Sequence, residues 1–343
     1  MKIGDIGEFG LIQRVAKAVP PAPSGLIIGI GDDAAAWRTS SGIQLATTDT
    51  LIENVHFKLG PTTWYDLGWK ALAVNLSDIA AMGGIARYAL VTLGLPNEAE
   101  VQDVLDFYKG LSDLASRCDT AIAGGDMVSS PAGVMITVSV IGEASVKDCL
   151  RPSSHQEACL LRRSASRPGD LVGVTGFLGT SASGLEMIMA DLSVDSHAAD
   201  VLRTAHLRPT PRLAEGRALV AAGVQAAMDI SDGLVGDLTK LCEASRVAAR
   251  VWSDRIPIHP TVTGIFGARA IEQALYGGED YELLFAAPRE TMEVVTRSFA
   301  GEALSEVTVI GEIMEGPAGH VAVVASDGTH IETEKGGWDH FAR

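Results

Sequence analysis

Aspartates in turn-like segments recur along this chain, and their pattern suggests a metal site. They lie in five short stretches: Gly31-Asp32-Asp33, Thr47-Thr48-Asp49-Thr50, Asn75-Leu76-Ser77-Asp78, Gly124-Gly125-Asp126 and Asp229-Ile230-Ser231-Asp232. Any one such aspartate is more often structural, because aspartate caps turns and helices through local hydrogen bonds. Five stretches together are better explained by Mg²⁺, which takes oxygen ligands and binds through a few carboxylates plus substrate phosphates. The pattern therefore favours a phosphoryl-transfer site that holds several metal ions.

A dinucleotide-binding loop is the alternative for the first of these stretches. Residues 29–34 formally match the fingerprint G-x-G-x-x-A and follow a predicted strand. Only residues 35–42 separate that strand from the next one, which is too short for the crossover helix of a βαβ unit, so a hairpin is predicted. The carboxylates of Asp32 and Asp33 would also repel the pyrophosphate that such a loop binds. The sequence therefore disfavours a dinucleotide site.

Composition and charge limit the class of protein. The chain has 343 residues, of which 47% are hydrophobic and 20% are charged, as in folded globular proteins with more than one domain. Its net charge of -16 would repel nucleic acid, and no basic stripe offsets it, so we expect no nucleic-acid partner. The surplus of carboxylates suits divalent cations, although a solvated acidic surface would also produce it.

Cysteine usage and hydropathy indicate a cytoplasmic location. The four cysteines show no C-x-x-C spacing, which predicts reduced thiols; they are Cys118, Cys149, Cys159 and Cys242. Asp5 and Glu8 stand where a signal peptide would be basic and then apolar. No uncharged apolar run reaches the roughly 18 residues that span a bilayer, so we expect a soluble protein with no membrane partner.

Hydrophobic periodicity predicts two α/β domains, which we place at residues 1–145 and 146–343. In the first, it predicts helices at 9–19, from the cap Thr63 to Met82, and at 99–116, with strands at 26–30, 43–48, 88–93, 120–123 and 134–141. In the second, it predicts helices near 181–189, 211–222 and 233–245, with strands at 171–175, 226–230, 248–252, 283–287, 307–313 and 321–325. The pattern loses its periodicity over residues 144–163, which indicates the boundary.

Nucleotide binding, if present, does not follow the two familiar kinase designs. The chain contains no G-x-x-x-x-G-K-[ST] motif and no H-R-D or D-F-G set. Gly124-Gly125-Asp126 offers another solution, because two glycines after a strand can bring bare backbone against a phosphate while the acid meets a metal.

Longer motifs make the chain similar to a known family. In chain order they are G-I-G-D-D at 29–33, T-T-D-T at 47–50, His56-Phe57, K-A-L-A-V-N-L-S-D-I-A-A-M-G at 70–83, G-G-D at 124–126, D-I-S-D-G-L at 229–234, G-G-E-D-Y-E at 277–282 and G-W-D-H-F at 337–341. Together they resemble the thiamine-monophosphate kinases, a family of the aminoimidazole ribonucleotide synthetase-like superfamily. The resemblance spans nearly the whole chain.

The resemblance implies a fold, a reaction and an oligomeric state. The fold would be α/β (α+β), with two domains whose mixed sheets have helices packed on one face. Residues 1–145 would bind ATP and Mg²⁺ and form a homodimer, and residues 146–343 would complete the nucleotide and substrate site. ATP and thiamine monophosphate would give ADP and thiamine diphosphate by direct in-line, Mg²⁺-assisted transfer. A phosphate nucleophile is already ionised near neutral pH, so no catalytic protein base is expected.

The resemblance also implies roles for individual residues. Those that would hold the metal ions are Asp33, Thr47, Thr48, Asp49, Asp78, Asp126, Asp229 and Asp232. Those that would meet ATP are Tyr108, Gly125, Asp126, Arg163 and Ser231. Those that would meet thiamine monophosphate are His56, Glu279 and Trp338, of which the tryptophan could place an aromatic face against the cationic thiazolium.

One departure from the family pattern leaves an alternative open. The segment 146–159 is longer than expected, and no glycine follows Arg163-Ser164. Arg151 and Arg162 therefore remain alternatives to Arg163 as the arginine that pairs with a phosphate.

Two other functions share most of these features. Another ATP-using synthetase of the superfamily, of the purine pathway or for selenophosphate, would share the metal aspartates, but the motifs at 277–282 and 337–341 disfavour it. A non-catalytic nucleotide-binding maturation scaffold is the second alternative, and turnover of thiamine monophosphate distinguishes it from the kinase.

Overall fold

The computed structural model describes residues 7–18, 25–39, 42–144, 160–301 and 304–331. The helices of these residues are α1 (Gly7–Ala18), α2 (Trp64–Ala81), α3 (Val101–Arg117), α4 (Thr180–Met189), α5 (Ser196–Leu207), α6 (Leu213–Ala222), α7 (Leu234–Ser245), α8 (Pro260–Phe266), α9 (Ala270–Tyr276) and α10 (Arg289–Gly301). The strands are β1 (Leu26–Ile28), β2 (Ala35–Thr39), β3 (Gly42–Ile52), β4 (Gly84–Leu95), β5 (Ala121–Ser129), β6 (Met135–Ala144), β7 (Leu171–Thr175), β8 (Ala226–Asp229), β9 (Ala248–Trp252), β10 (Leu283–Ala287), β11 (Val307–Met314), β12 (Val321–Val324) and β13 (His330–Ile331).

The N-terminal sheet has the strand order β1-β2-β3-β6-β4-β5. Its pairs are antiparallel except β4 with β5, which are parallel and joined through α3. The hairpin predicted near residue 40 exists, but its first strand is β2 rather than the segment at 26–30. That earlier segment forms β1, which pairs with β2, so the stretch that ends in Asp32-Asp33 lies in the turn between them. The sequence did not indicate β2 because it is a short strand inside a presumed connection.

The C-terminal sheet has the order β13-β12-β9-β11-β7-β10-β8 and is antiparallel except for β12 with β9. The strands and helices predicted between residues 171 and 325 are all present. Helices α5, α8, α9 and α10 were not predicted. In α10, Met292, Val295 and Phe299 form a buried stripe at helical spacing, which is a signal that could have identified it. No helix of the described part of the chain is long and apolar enough to cross a bilayer.

Helix α2 lies between the two sheets and is buried along almost its whole length. Thr63 caps it as predicted, because its Oγ1 accepts a hydrogen bond from the Asp66 backbone N–H at 3.1 Å. On the other side, the Trp69 Nε1–H donates to the Pro209 carbonyl at 2.9 Å. The helix therefore carries side chains of the N-terminal domain into contact with the C-terminal domain. The predicted boundary between residues 145 and 146 lies outside the described residues.

Two glycines let α3 pack closely on α2. A Cβ at Gly68 would lie 1.9 Å from the Phe107 carbonyl oxygen, and one at Gly110 would lie 1.9 Å from the Tyr65 carbonyl oxygen. Because both obstacles are backbone atoms, neither contact can be relieved by a side-chain rotation. The position of α2, and of everything it carries, therefore depends on bare backbone at these positions.

We expect Gly110→Ala to destabilise the protein by about 1–3 kcal/mol, since the added methyl group must separate two helices. Urea unfolding followed by circular dichroism measures the change. Gly264→Ala in α8 is the matched control, because a Cβ there meets no heavy atom within 4 Å. That control should be neutral or more stable by up to roughly 1 kcal/mol, from helix propensity. Equal stability of Gly110→Ala and the wild type would contradict the close packing.

Candidate functional site

Three carboxylates from distant parts of the chain converge where the two domains meet. Oxygen atoms of Asp33, Asp78 and Asp229 all lie within 4.8 Å of one another. Asp33 follows β1, Asp78 lies on α2, and Asp229 ends β8. Each of the three was predicted as a metal ligand, and the structure brings them together. A site of this spacing presents several oxygen ligands to one cation.

Hydroxyl groups hold two of these carboxylates in place. The Ser77 Oγ–H donates to Asp229 Oδ2 at 2.6 Å, and the Thr47 Oγ1–H donates to Asp78 Oδ2 at 2.5 Å. Ser77 and Asp78 are neighbours on α2, whereas Thr47 lies on β3, so one helix is tied to both sheets. Thr47 was predicted as a metal ligand; its hydroxyl group donates to Asp78 in this structure, and its metal role stays a prediction.

Burial and mutual repulsion make the carboxyl groups of Asp78, Asp229 and Asp49 resist ionisation. Burial, together with the nearby charges of Asp49 and Asp229, raises the pKa of Asp78 well above its ordinary value. Burial and the charge of Asp33 raise the pKa of Asp229 in the same direction. Burial is also the main cause of the raised pKa of Asp49, to which Asp232 and Asp33 add. A cation bound among these groups would offset the repulsion, so the donor set fits Mg²⁺.

Arg163 is the arginine that the structure brings to this cluster. Its Nη2–H donates to Asp33 Oδ1 at 2.5 Å and its Nε–H to Oδ2 at 3.2 Å, a two-point contact with one carboxylate. Its backbone N–H lies 3.4 Å from both carboxylate oxygens of Asp32. Arg162 pairs through its backbone with β8, and Arg151 lies outside the described residues. A guanidinium beside these carboxylates could also receive a phosphate.

The loop after β8 is organised by residues that the sequence did not single out. The backbone N–H groups of Ser231 and Asp232 both donate to Asp237 Oδ2 at 2.9 Å. Lys240 forms ion pairs with the carboxylates of Asp232 and Asp237. Asp237 and Lys240 are three residues apart on α7, so their pairing follows from helix geometry and could have been anticipated from the sequence. Asp232 therefore carries a cationic partner of its own.

Asp126 and Gly125 lie on β5, apart from the cluster. Strand register aligns Asp49 with Val138, Val91 and Gly125, and cross-strand neighbours share one face of a sheet. Asp126, the next residue, therefore faces the opposite, exposed side. Three strand spacings separate β3 from β5, or roughly 14 Å. The structure thus places Asp126 too far from Asp49 for the two to share one ion.

Gly125 also has a packing reason to be glycine, since a Cβ there would lie 1.8 Å from the Val91 carbonyl oxygen. Thr48 likewise faces away from the cluster, where its Oγ1 lies 2.8 Å from Ser139 Oγ. Tyr108 packs edge-to-face on Phe107 at the N-terminal core. The nucleotide roles of Gly125, Asp126 and Tyr108 and the metal role of Thr48 stay predictions.

Two of the three residues predicted to meet the substrate lie near each other. Burial opposes ionisation of Glu279, but the charges of Lys70, His206 and His56 outweigh it and lower the pKa of Glu279. His56 accepts a hydrogen bond at Nδ1 from the Ile52 backbone N–H at 3.0 Å. Trp338 lies outside the described residues. Lys70 and His206 were not predicted: Lys70 begins the motif at 70–83 but was given no role, and His206 stands in no motif.

Family models match both halves of the chain. The model of the N-terminal domain of AIR synthase related proteins matches residues 31–144, and that of their C-terminal domain matches residues 167–324. The thiamine-monophosphate kinase of Bacillus subtilis (strain 168) is 37% identical over 337 residues, which cover 97% of this chain and 99% of that protein. The chain belongs to the thiamine-monophosphate kinase family.

Other members of the thiamine-monophosphate kinase family agree with this assignment. The protein of that name from Aquifex aeolicus (strain VF5) is 34% identical, with 99% of this chain and 100% of that protein covered. The solved structure of AaThiL complexed with AMPPCP and TMP matches with a TM-score of 0.82 at 34% identity, and 99% of both chains are covered. The two-domain fold with mixed sheets that the resemblance implied is therefore confirmed.

The raised pKa values of the clustered carboxyl groups predict that their contribution to the stability of the protein decreases as pH rises. Raised carboxyl pKa values mean that the folded protein binds protons more readily than the unfolded chain, so this contribution to stability falls as pH rises from about 4 towards neutrality. At pH 8 in a chelator, we expect Asp78→Asn to raise Tm by about 1–2 °C, the shift that roughly 1 kcal/mol produces in a chain of 343 residues. The difference in Tm between Asp78→Asn and the wild type should be smaller at pH 5. Mg²⁺ should raise the Tm of the wild type more than that of the variant.

Thermal melts at the two pH values, with and without Mg²⁺, measure both effects. Asp200→Asn on the exposed side of α5 removes the same charge away from the cluster and should change neither. A lower Tm for Asp78→Asn at pH 8 without divalent ions would show that the cluster is not strained.

Proposed function

We propose that this chain transfers the γ-phosphate of ATP to thiamine monophosphate and forms ADP and thiamine diphosphate. The observation that carries the proposal is the 34–37% identity to thiamine-monophosphate kinases over nearly the whole chain. The match to AaThiL, whose structure holds AMPPCP and TMP together, supports the same pair of substrates. The enzyme is therefore a phosphotransferase with a phosphate group as acceptor.

Magnesium fits the carboxylate cluster because the buried acids lack enough positive charge of their own. Asp33, Asp78 and Asp229 would hold one ion, and Asp49 stands close enough to take part. When bound, Mg²⁺ neutralises phosphate charge and favours in-line alignment of donor and acceptor. Asp126, on the far side of the sheet, would belong to a different ion or to another part of the nucleotide site.

The chain's own residues would supply positioning and charge rather than proton transfer. The acceptor phosphate of thiamine monophosphate is ionised near neutral pH, so it needs no general base. Arg163 would leave its carboxylate partner, or share it, and pair with a phosphate at two points. Ser77 and Thr47 would keep Asp229 and Asp78 in fixed orientations through the reaction. Such preorganisation is the main protein contribution to phosphoryl transfer.

The outer face of the N-terminal sheet supports a homodimer. Tyr88, Leu90 and Val128 project from β4 and β5 with exposures of 54%, 41% and 45%. Alternation along the strands places these three side chains on one face, beside Asp126. Large apolar side chains exposed together on one face of a sheet are typical of a protein interface. A second copy packed on this face would also cover Asp126.

Two alternatives are less well supported. A purine-pathway or selenophosphate synthetase would share the fold and the aspartates, but the full-length relatives at 34–37% identity are thiamine-monophosphate kinases. A maturation scaffold would bind ATP without phosphorylating thiamine monophosphate. The cytoplasmic location expected from the sequence stays a prediction.

Asp49→Asn tests the metal assignment within this function. Replacing a residue that only hydrogen-bonds to a metal ligand typically lowers activity by about 10- to 100-fold. Losing a carboxylate that itself binds the metal should cost at least as much, so we expect kcat to fall by at least about a hundredfold. Formation of thiamine diphosphate from ATP, Mg²⁺ and thiamine monophosphate is measured by chromatography. Asp200→Asn should keep wild-type turnover. Wild-type protein that binds ATP but yields no thiamine diphosphate would overturn the proposed function, and a fully active Asp49→Asn would overturn the metal role alone.

Leu90→Lys tests the interface. A charge in the middle of the apolar face should convert the dimer to a monomer, with a Kd at least about tenfold weaker, because burying an unpaired ammonium is costly. Sedimentation velocity at several concentrations measures the change. Val101→Lys at the exposed start of α3, where the side chain is 74% exposed, is the control and should stay dimeric. A wild-type monomer at high concentration would contradict the dimer.

A further inference from the structure

A buried lysine pairs with the carboxylate on the substrate side of the site. The Lys70 Nζ lies 2.9 Å from Oε1 of Glu279. The Lys70 side chain is only 4% exposed, whereas that of Glu279 is 28% exposed. A buried ammonium is costly unless a partner offsets its lost hydration, so the pair is held in place by the penalty for separating it. Glu279 can therefore reach a ligand, while Lys70 can act only through Glu279.

The backbone also fixes where Glu279 stands. Glu279 and Tyr281 have φ values of +67° and +52°, which residues other than glycine rarely adopt. The Glu279 backbone N–H donates to the Ser231 carbonyl at 2.8 Å, and the Tyr281 N–H donates to the Ile230 carbonyl at 2.9 Å. A strained backbone that is held by such bonds often marks a functional position. The loop that holds Glu279 lies between α9 and β10, and these bonds tie it to the loop that follows Asp229.

His206 is a second partner of Glu279 and adds little positive charge near pH 7. His206 Nδ1 lies 3.5 Å from Glu279 Oε2 and 3.1 Å from Ser181 Oγ. Burial and the charge of Lys70 lower the pKa of His206 to about 4, so its imidazole is neutral near pH 7. Of the three groups whose charges lower the pKa of Glu279, which are Lys70, His206 and His56, Lys70 has the largest effect. The exposed part of the carboxylate is left as a directional hydrogen-bond acceptor.

Helix α2 sets the distance from this pair to the metal site. Lys70, Ser77 and Asp78 lie on one face of α2, because positions i, i+7 and i+8 share a face. Eight residues correspond to roughly 12 Å along the helix axis. An acceptor whose phosphate lies at the carboxylate cluster would therefore extend its organic end towards Glu279.

We infer that Lys70 is a positioning residue that fixes Glu279 as the hydrogen-bond acceptor for the exocyclic amino group of the acceptor's pyrimidine ring. The inference rests on the proposed function. The thiazolium ring carries no N–H, so the amino group is the N–H donor on the organic half of thiamine monophosphate. A carboxylate already neutralised by Lys70 suits a directional N–H better than a delocalised ring cation. The pair is thus a specificity determinant.

Steady-state kinetics with two acceptors tests the inference. The acceptors are thiamine monophosphate and oxythiamine monophosphate, whose pyrimidine presents an oxo oxygen in place of the amino group. The wild type should prefer the amino compound by at least about tenfold in kcat/KM, since the oxo oxygen would face a carboxylate. Lys70→Met should raise the KM for thiamine monophosphate by at least about tenfold, change the KM for ATP by less than about twofold, and reduce the preference at least about fivefold.

Further variants separate positioning from folding. Lys70→Arg keeps a cation and should recover part of the preference, whereas Glu279→Gln should lose it, because its amide can offer an N–H to the oxo group. Lys109→Met removes an exposed lysine of α3 and should match the wild type. If Lys70→Met does not fold, Glu279→Gln decides the question.

Different results would overturn the proposed function and the positioning role of Lys70. No turnover of thiamine monophosphate by the wild type would overturn the proposed function. Normal wild-type turnover, with KM and acceptor preference unchanged in Lys70→Met or in Glu279→Gln, would overturn the inference and leave the function standing. A raised KM with an undiminished preference would also overturn it, since Glu279 would then face another part of the acceptor.

Discussion

Carboxylates forced together away from water are the constraint on which the rest of this structure depends. Asp33, Asp78 and Asp229 come from a turn, a helix and a strand end, and each would be better hydrated apart from the others. Hydrogen bonds from Ser77 and from Thr47, and the guanidinium of Arg163, keep them in place. The fold thus holds a cluster of carboxylates with little compensating positive charge, which the proposed divalent cation with its phosphates would complete.

Helix α2 transmits this constraint between the domains. It is packed against α3 through glycine contacts, and its opposite side meets the C-terminal domain at Pro209, Asp229 and Glu279. One rigid element therefore sets both ends of the proposed site, one at Asp78 and the other at Glu279. A helix that is buried on all sides cannot shift without disturbing both cores, so the spacing between the two ends is fixed before any ligand binds.

Local sequence patterns predicted part of this arrangement, because some of the site residues stand at positions that hydrophobic periodicity identifies. Asp78 and Asp229 stand at a helix face and a strand end, positions that a sequence reveals through periodicity. The exposed side of Asp126 depends on the register of β4 with β5, and the partner of Lys70 depends on how the two domains dock; neither is a local property. Most of the long periodic elements were predicted, whereas the short strand β2 and the helices α5, α8, α9 and α10 were not.

The most direct test is a crystal structure with Mn²⁺ in place of Mg²⁺, a nonhydrolysable ATP analogue and thiamine monophosphate. Anomalous scattering locates the manganese independently of the surrounding oxygens. We predict a manganese peak between the carboxylates of Asp33, Asp78 and Asp229, with the phosphates of both ligands directed at it. Phosphates bound elsewhere, with no anomalous peak among these three side chains, would contradict the role assigned to the cluster.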